Sequence, residues 1–155
     1  LLSYHCDLGA RISALCRIMD LDHSTRVALL YQGRSHRHKV RQIVNHIADE
    51  TVTIDLNAAN ESLCESVADC DLIVVEALGH TTPHQQRALQ WIRVSSLAPV
   101  VVLTNRAQTD HTIDAIAAGA DAVIPLDLAP DAIVAHCQAL MRRWRSHPYV
   151  TPKFA

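Results

Sequence analysis

Apolar residues in this chain gather in five short runs, separated by longer stretches in which they recur at helical spacing. The runs are residues 27–31 (VALLY), 51–55 (TVTID), 72–77 (LIVVEA), 100–104 (VVVLT) and 121–126 (DAVIPL). The third and fourth are apolar at consecutive positions, as strands covered by helices on both faces are, and are expected to be central. Between the runs lies helix punctuation. Thr82-Pro83-His84-Gln85 offers a Thr N-cap, a Pro whose missing N–H is harmless at the first helical position, and a Gln placed to close a capping box. A helix from 83 to about 95 follows. Ile113, Ile116 and Ala117 share one face ahead of Gly119, which suits the left-handed residue that ends a helix. From Pro130 onward Ile133, Cys137, Leu140, Met141 and Trp144 form a stripe expected to face the core. Residues 35–48 and 58–68 fill the two remaining crossovers, the second after Asn57 as a cap.

Strand and helix in strict alternation predict an α/β fold with right-handed crossovers, a three-layer sandwich. The flavodoxin-like (βα)5 arrangement, with parallel sheet order 2-1-3-4-5, is its usual five-strand solution. Ligands of such sheets sit beyond the C-terminal strand ends, here Tyr31, Gln32, Glu76, Ala77, Thr104 and Asn105. Residues 1–25 add an N-terminal helical extension with a stripe of Leu8, Ile12, Leu15, Cys16 and Met19, and 26–145 form the domain. The stripe must bury against the domain's flank, a copy of itself or a partner, since an isolated helix of that length is marginal in water. A homodimer through this helix or through the face formed by 109–144 is expected. Residues 146–155, with two prolines, read as an extended arm or linker.

Composition narrows the functional classes. The 155 residues carry 14 Lys plus Arg against 16 Asp plus Glu, a net charge of −2, with no basic excess to attract nucleic acid or an anionic membrane. No apolar run approaches the ~18 residues of a membrane span, and Asp7 and Arg11 interrupt any secretory signal. A soluble cytoplasmic protein is expected. The five cysteines are scattered, with no C-x-x-C pair, so they signal neither a zinc site nor a disulfide framework. No G-x-S-x-G elbow, phosphate-binding G-x-x-x-x-G-K-[ST] loop or G-x-G-x-x-G turn is present. No nucleophile and base are paired in the sequence, and the chain is expected not to be an enzyme.

The segments DLIVVEAL (71–78), APVVVLTN (98–105) and AIAAGADAVIPLDLAPDAIVAHCQAL (115–140) resemble the second half of a response-regulator receiver domain. The resemblance extends over roughly 26–144. It implies a phosphoacceptor Asp after the third strand, an acidic pair after the first, a hydroxyl after the fourth, a Lys after the fifth, and Mg²⁺ held by carboxylates. Here those positions carry Glu76, then Tyr31 and Gln32, then Thr104, then Leu126. Only Thr104 keeps the expected type. The aromatic that couples to the hydroxyl in many receivers falls at Val123.

These departures remove the anions that hold Mg²⁺ and the cation that stabilises a transferring phosphoryl group. The resemblance therefore implies a degenerate receiver: no phosphorylation, no cofactor, lost or weak Mg²⁺ binding, and a regulatory role through protein–protein contact in bacterial two-component-type signalling. Glu76 either mimics a charged acceptor or is an ordinary strand-end carboxylate, and the second is the simpler reading. The alternative function is a small-molecule or anion sensor. It rests on Arg34, Ser35, Arg37, Lys39 and Arg41 at the start of the first helix, where backbone N–H groups already favour anions. A solvated cationic helix face accounts for the same residues. His36 and His38 point to different sides and make a poor metal pair.

Overall fold

A computed structural model describes residues 24–33, 38–57, 62–77, 82–105 and 108–146. The expected N-terminal helix and most of the C-terminal arm lie outside these residues. Five strands alternate with five helices: β1 (Arg26–Tyr31), α1 (His38–Ile47), β2 (Glu50–Asp55), α2 (Ser62–Ala68), β3 (Leu72–Ala77), α3 (Pro83–Ser95), β4 (Val100–Thr104), α4 (Thr109–Ala118), β5 (Ala122–Pro125) and α5 (Pro130–Ser146). All pair in parallel, in the order β2-β1-β3-β4-β5, which is the expected three-layer flavodoxin-like sandwich.

Two apolar layers flank the sheet because strand side chains alternate between faces. Ala28, Leu30, Ile73, Val75, Val100 and Val102 pack beneath α2, α3 and α4, through residues such as Leu63, Leu89, Ile92 and Ala115. On the other face Val27, Leu29, Leu72, Val74, Val101 and Leu103 meet Val40, Ile43 and Val44 of α1 and Ile133, Cys137 and Met141 of α5. Every residue of β3 and β4 is buried, as their unbroken apolar runs require. Leu140 and Trp144, expected at the core, are only half-buried on the flank of α5.

Helix α4 turns its apolar face outward. Its buried residue is Ala115, while Ile113 and Ile116 are 59% and 45% exposed and Ala117 is exposed too. At 100° per residue Ala115 takes the core-facing line, and Ile113 and Ile116 fall away from it on the outer side. Their shared face is real, but it is turned to solvent.

At the opposite end of the sheet from the strand C-termini, Gly119 ends α4 with φ +124° and its N–H donates to the carbonyls of Ala115 and Ile116. A Cβ here would meet Arg93 Cγ at 2.6 Å. That contact matters because Arg93 ties the corner together: Nε donates to Gly119 O (2.5 Å), Nη1 to Ala98 O (3.3 Å), and Nη2 to Asp121 Oδ2. Asp121 Oδ2 also accepts from Val100 N at 2.7 Å. Gly119→Ala should combine a left-handed backbone penalty with displacement of Arg93, costing about 1–3 kcal/mol. A lowered urea midpoint at unchanged slope is the expected observation.

Candidate functional site

The C-terminal strand ends place Tyr31, Gln32, Glu76, Thr104 and Leu126 along one rim of the sheet, as their slots require. Tyr31 closes β1 opposite Asp55 and its carbonyl accepts from Leu56 N (2.7 Å). Glu76 stands in register with Leu103 and is 3% exposed. Strand alternation puts it on the face shared with Leu72 and Val74, toward α1 and α5. Thr104, also buried, lies on the other face, and its carbonyl accepts from Leu126 N (2.8 Å). Val123 packs half-buried against the α2–α4 layer. Leu126 is buried in the opposite layer, a core side chain at the position where the receiver pattern has a Lys.

A relay of neutral amides joins four of the elements that meet at this rim. Asn57, just past β2, has its Oδ1 taken by Gln32 Nε2 (3.1 Å). Gln32 Oε1 in turn accepts from Thr82 Oγ1 (3.0 Å). Thr82 forms the predicted capping box with Gln85: Gln85 N donates to Thr82 Oγ1 (3.2 Å) and Thr82 N donates to Gln85 Oε1 (3.0 Å). The remaining end of the buried Gln85 side chain, Nε2, donates to Glu76 O at 3.3 Å. One path therefore runs from the end of β2 through β1 and the start of α3 to the end of β3. Asp55 anchors its origin, with Oδ1 accepting from Asn57 N (2.9 Å) and Gly33 N (3.5 Å). Asn57, expected to cap the following helix, instead lends its side chain to this path.

The second unforeseen contact comes from Lys39. Its Nζ donates to the carbonyl of Leu126, and to that of Leu128 at 2.8 Å. An ammonium thus reaches the end of β5 from α1, and it serves backbone carbonyls there. Of the other residues expected to form an anion site, Arg41 is exposed on α1, and Arg34, Ser35 and Arg37 lie outside the described residues.

Two of the receiver pattern's acid slots hold groups that do not suit Mg²⁺: Tyr31 offers no carboxylate, and both polar atoms of the Gln32 amide are engaged by Asn57 and Thr82. Glu76 keeps a carboxylate, and Asp55 brings a second whose Oδ1 already accepts from Asn57 N and Gly33 N. Among the described residues no three His, Cys, Asp or Glu side chains gather as a metal site. Among the described cysteines Cys64 is half-buried and Cys70 and Cys137 are buried, and burial pushes the Cys137 thiol from 9.0 up to about 11. At neutral pH it is a core thiol, and the thiolate needed for nucleophilic attack is scarce.

The sequence matches no protein-family model and no curated protein. Among solved structures the chain is similar to a response regulator from Thermotoga maritima, at 14% identity over 77% of this chain and 99% of that one, with TM-score 0.60. It is similar also to a CheY-like response regulator receiver domain protein from Methanospirillum hungatei (14%, 81% and 99%, TM-score 0.58). A third is described as a pilus assembly-related protein from Burkholderia pseudomallei (12%, 80% and 96%, TM-score 0.60). The fold is thus the receiver-domain fold. Among the described residues, no helix is long and apolar enough to cross a membrane.

The relay makes an energetic prediction. Thr82→Ala removes a helix cap and should cost about 1–2 kcal/mol, and Gln32→Ala should cost less. Because both act on one hydrogen bond, the double variant should be less destabilised than the sum by about 0.5 kcal/mol or more. Additive costs in chemical denaturation would show that the Thr82–Gln32 link carries no stability.

Proposed function

We propose that this chain is a phosphorylation-independent receiver-like module that regulates by binding protein, in two-component-type signalling. The observation that carries the reading is the amide relay. In a receiver the rim holds acids that gather a divalent cation; here direct side-chain hydrogen bonds join the ends of β1, β2 and β3 instead. A rim already satisfied this way needs no metal to hold it, and Leu126 provides no charge to draw a phosphoryl group. Incubation with Mg²⁺ and acetyl phosphate should leave the intact mass unchanged, and Mg²⁺ with beryllofluoride should leave the melting temperature unchanged. A phosphoryl adduct, at Glu76 or any Asp, would sink the proposal.

The face that does the binding is α4 with the adjoining edge strand β5. Single exposed apolar residues are ordinary. Ile113 and Ile116, however, share one helix face beside a strand that pairs on one side only, and a second copy of this chain is the simplest complement to them. The Ile113→Asp/Ile116→Asp double variant should weaken self-association about tenfold or more, read by sedimentation equilibrium. Wild-type protein that stays monomeric, or a variant that associates as well as wild type, removes this surface from consideration.

The anion-sensing alternative draws less support. Lys39, the described cation nearest the β5 end, gives two of its three N–H donors to carbonyls.

A further inference from the structure

We propose that β2, one edge of the sheet, pairs antiparallel with β2 of a second copy about a two-fold axis at Thr53, so that two sheets become one. β2 hydrogen-bonds to β1 alone. Glu50 N donates to Thr25 O (3.1 Å) and Leu56 N to Tyr31 O (2.7 Å). Backbone groups of successive strand residues point to opposite sides of the strand, so the even-numbered residues face β1, and Thr51, Thr53 and Asp55 turn their N–H and C=O outward. On that side the groups of Thr51 and Thr53 have no partner among the described residues. Edge strands are usually blunted by shortness, Pro, Lys or a bulge. β5, the opposite edge, has four residues and ends on Pro125. β2 has six, with neither Lys nor Pro, and its register with β1 runs unbroken from Glu50 to Asp55. Its residues Thr51, Val52, Thr53 and Ile54 are all β-branched, and both threonines are exposed.

The second copy is indicated because the strand is complementary to itself. With Thr53 opposite the partner's Thr53, Thr51 lies opposite the partner's Asp55, and the outward residues exchange about six hydrogen bonds. Residues opposite each other share a face. Val52 therefore meets the partner's Ile54 and extends the apolar layer against which Ile54 packs. On the other face a Thr51 hydroxyl meets the carboxylate of the partner's Asp55. Glu50 falls opposite the partner's Leu56, so no two carboxylates oppose each other. The neighbouring registers are poorer. Thr51 opposite the partner's Thr53 sets Asp49 against the partner's Asp55, and Thr53 opposite the partner's Asp55 loses a bonded pair within β2. This contact lies across the sheet from β5 and from Ile113 and Ile116 on α4, so the two can be removed one at a time.

The test uses the full chain carrying Ile113→Asp/Ile116→Asp. Sedimentation equilibrium over about a hundredfold range of concentration should still show monomer and dimer in exchange. Adding Thr53→Pro removes an outward N–H and none that β1 uses, and should weaken that dimer about tenfold or more. Thr53→Lys, which sets two ammonium groups opposite each other, should do the same. Independently, Thr53→Cys should form a disulfide between copies under mild oxidation, located by mass mapping. Opposed bonded residues hold their Cα atoms about 5.5 Å apart, within the roughly 4.4–6.8 Å that a disulfide spans. Thr51→Cys, about 14 Å from its counterpart in this register, should not bridge to itself. A dimer that keeps wild-type affinity after Ile113→Asp/Ile116→Asp and is lost on adding Thr53→Pro supports the β2 pairing and removes the α4 face. Protein carrying Ile113→Asp/Ile116→Asp that stays monomeric, a dimer that both Thr53 variants leave intact, or Thr51→Cys that bridges to itself as readily as Thr53→Cys, would overturn the proposal.

Discussion

The burial of β3 on both faces is the constraint around which the molecule is organised. Leu72–Ala77 lie at the centre of five strands with a helical layer on each side, and every one of them is buried. Five of the six are apolar and are stabilised by that position. The sixth, Glu76, is a carboxylate at the strand's end, held where the two layers part and the rim opens. Because β3 cannot be exposed without losing both layers, whatever occupies the rim must adapt to it. Gln85 does so by donating to the Glu76 carbonyl, fixing the start of α3 to the end of the strand.

Two kinds of polar link then close the sandwich at its two ends. At the rim the longest link is neutral: amides and a hydroxyl pass hydrogen bonds from Asn57 to Gln32 to Thr82 to Gln85, between the Asp55 carboxylate at its origin and the Lys39 ammonium at the end of β5. At the base the links are ionic, with Arg93 gathering Gly119, Ala98 and Asp121 around the end of α4. The difference has a physical basis. Exposed ion pairs gain little in water, but Asp121 also accepts from the backbone of Val100, so the base corner combines charge with main-chain hydrogen bonds. The chain from Asn57 to Gln85 passes between uncharged groups, which spares it the desolvation of a charged pair beside the buried Glu76.

Much of this was legible in the sequence, and what was not has identifiable causes. The apolar runs marked all five strands to within a residue or two, and Thr82-Pro83-His84-Gln85 marked a capping box that the structure contains. Those signals are local, carried by residues a few positions apart. The relay was not legible, because Gln32 and Thr82 are 50 positions apart and nothing in either identity names the other. Lys39 could be seen as a cation at a helix start, but its carbonyl partners are 87 and 89 residues away. Ile113 and Ile116 were legible as a shared face, yet periodicity does not say which way a face points. A small residue, Ala115, takes the core side there. Strand order is enough to set Tyr31, Gln32, Glu76, Thr104 and Leu126 at the C-terminal strand ends, whereas their hydrogen bonding needed coordinates.

The packing of α1 against α5 carries a consequence for how the protein is made. Val40, Ile43 and Val44 rest on Ile133, Cys137 and Met141, and Lys39 fastens the same helix to the loop before α5. A ribosome adds about 5–20 residues per second, so the apolar face of α1 leaves the tunnel several seconds before the helix that covers it exists. Until then half of the sandwich is an open layer, with the β1–β3 pairing made on one side only. The nascent chain is thus open to aggregation through this layer until α5 emerges, and a chaperone that shields α1 during that interval would act on a face that the folded domain buries.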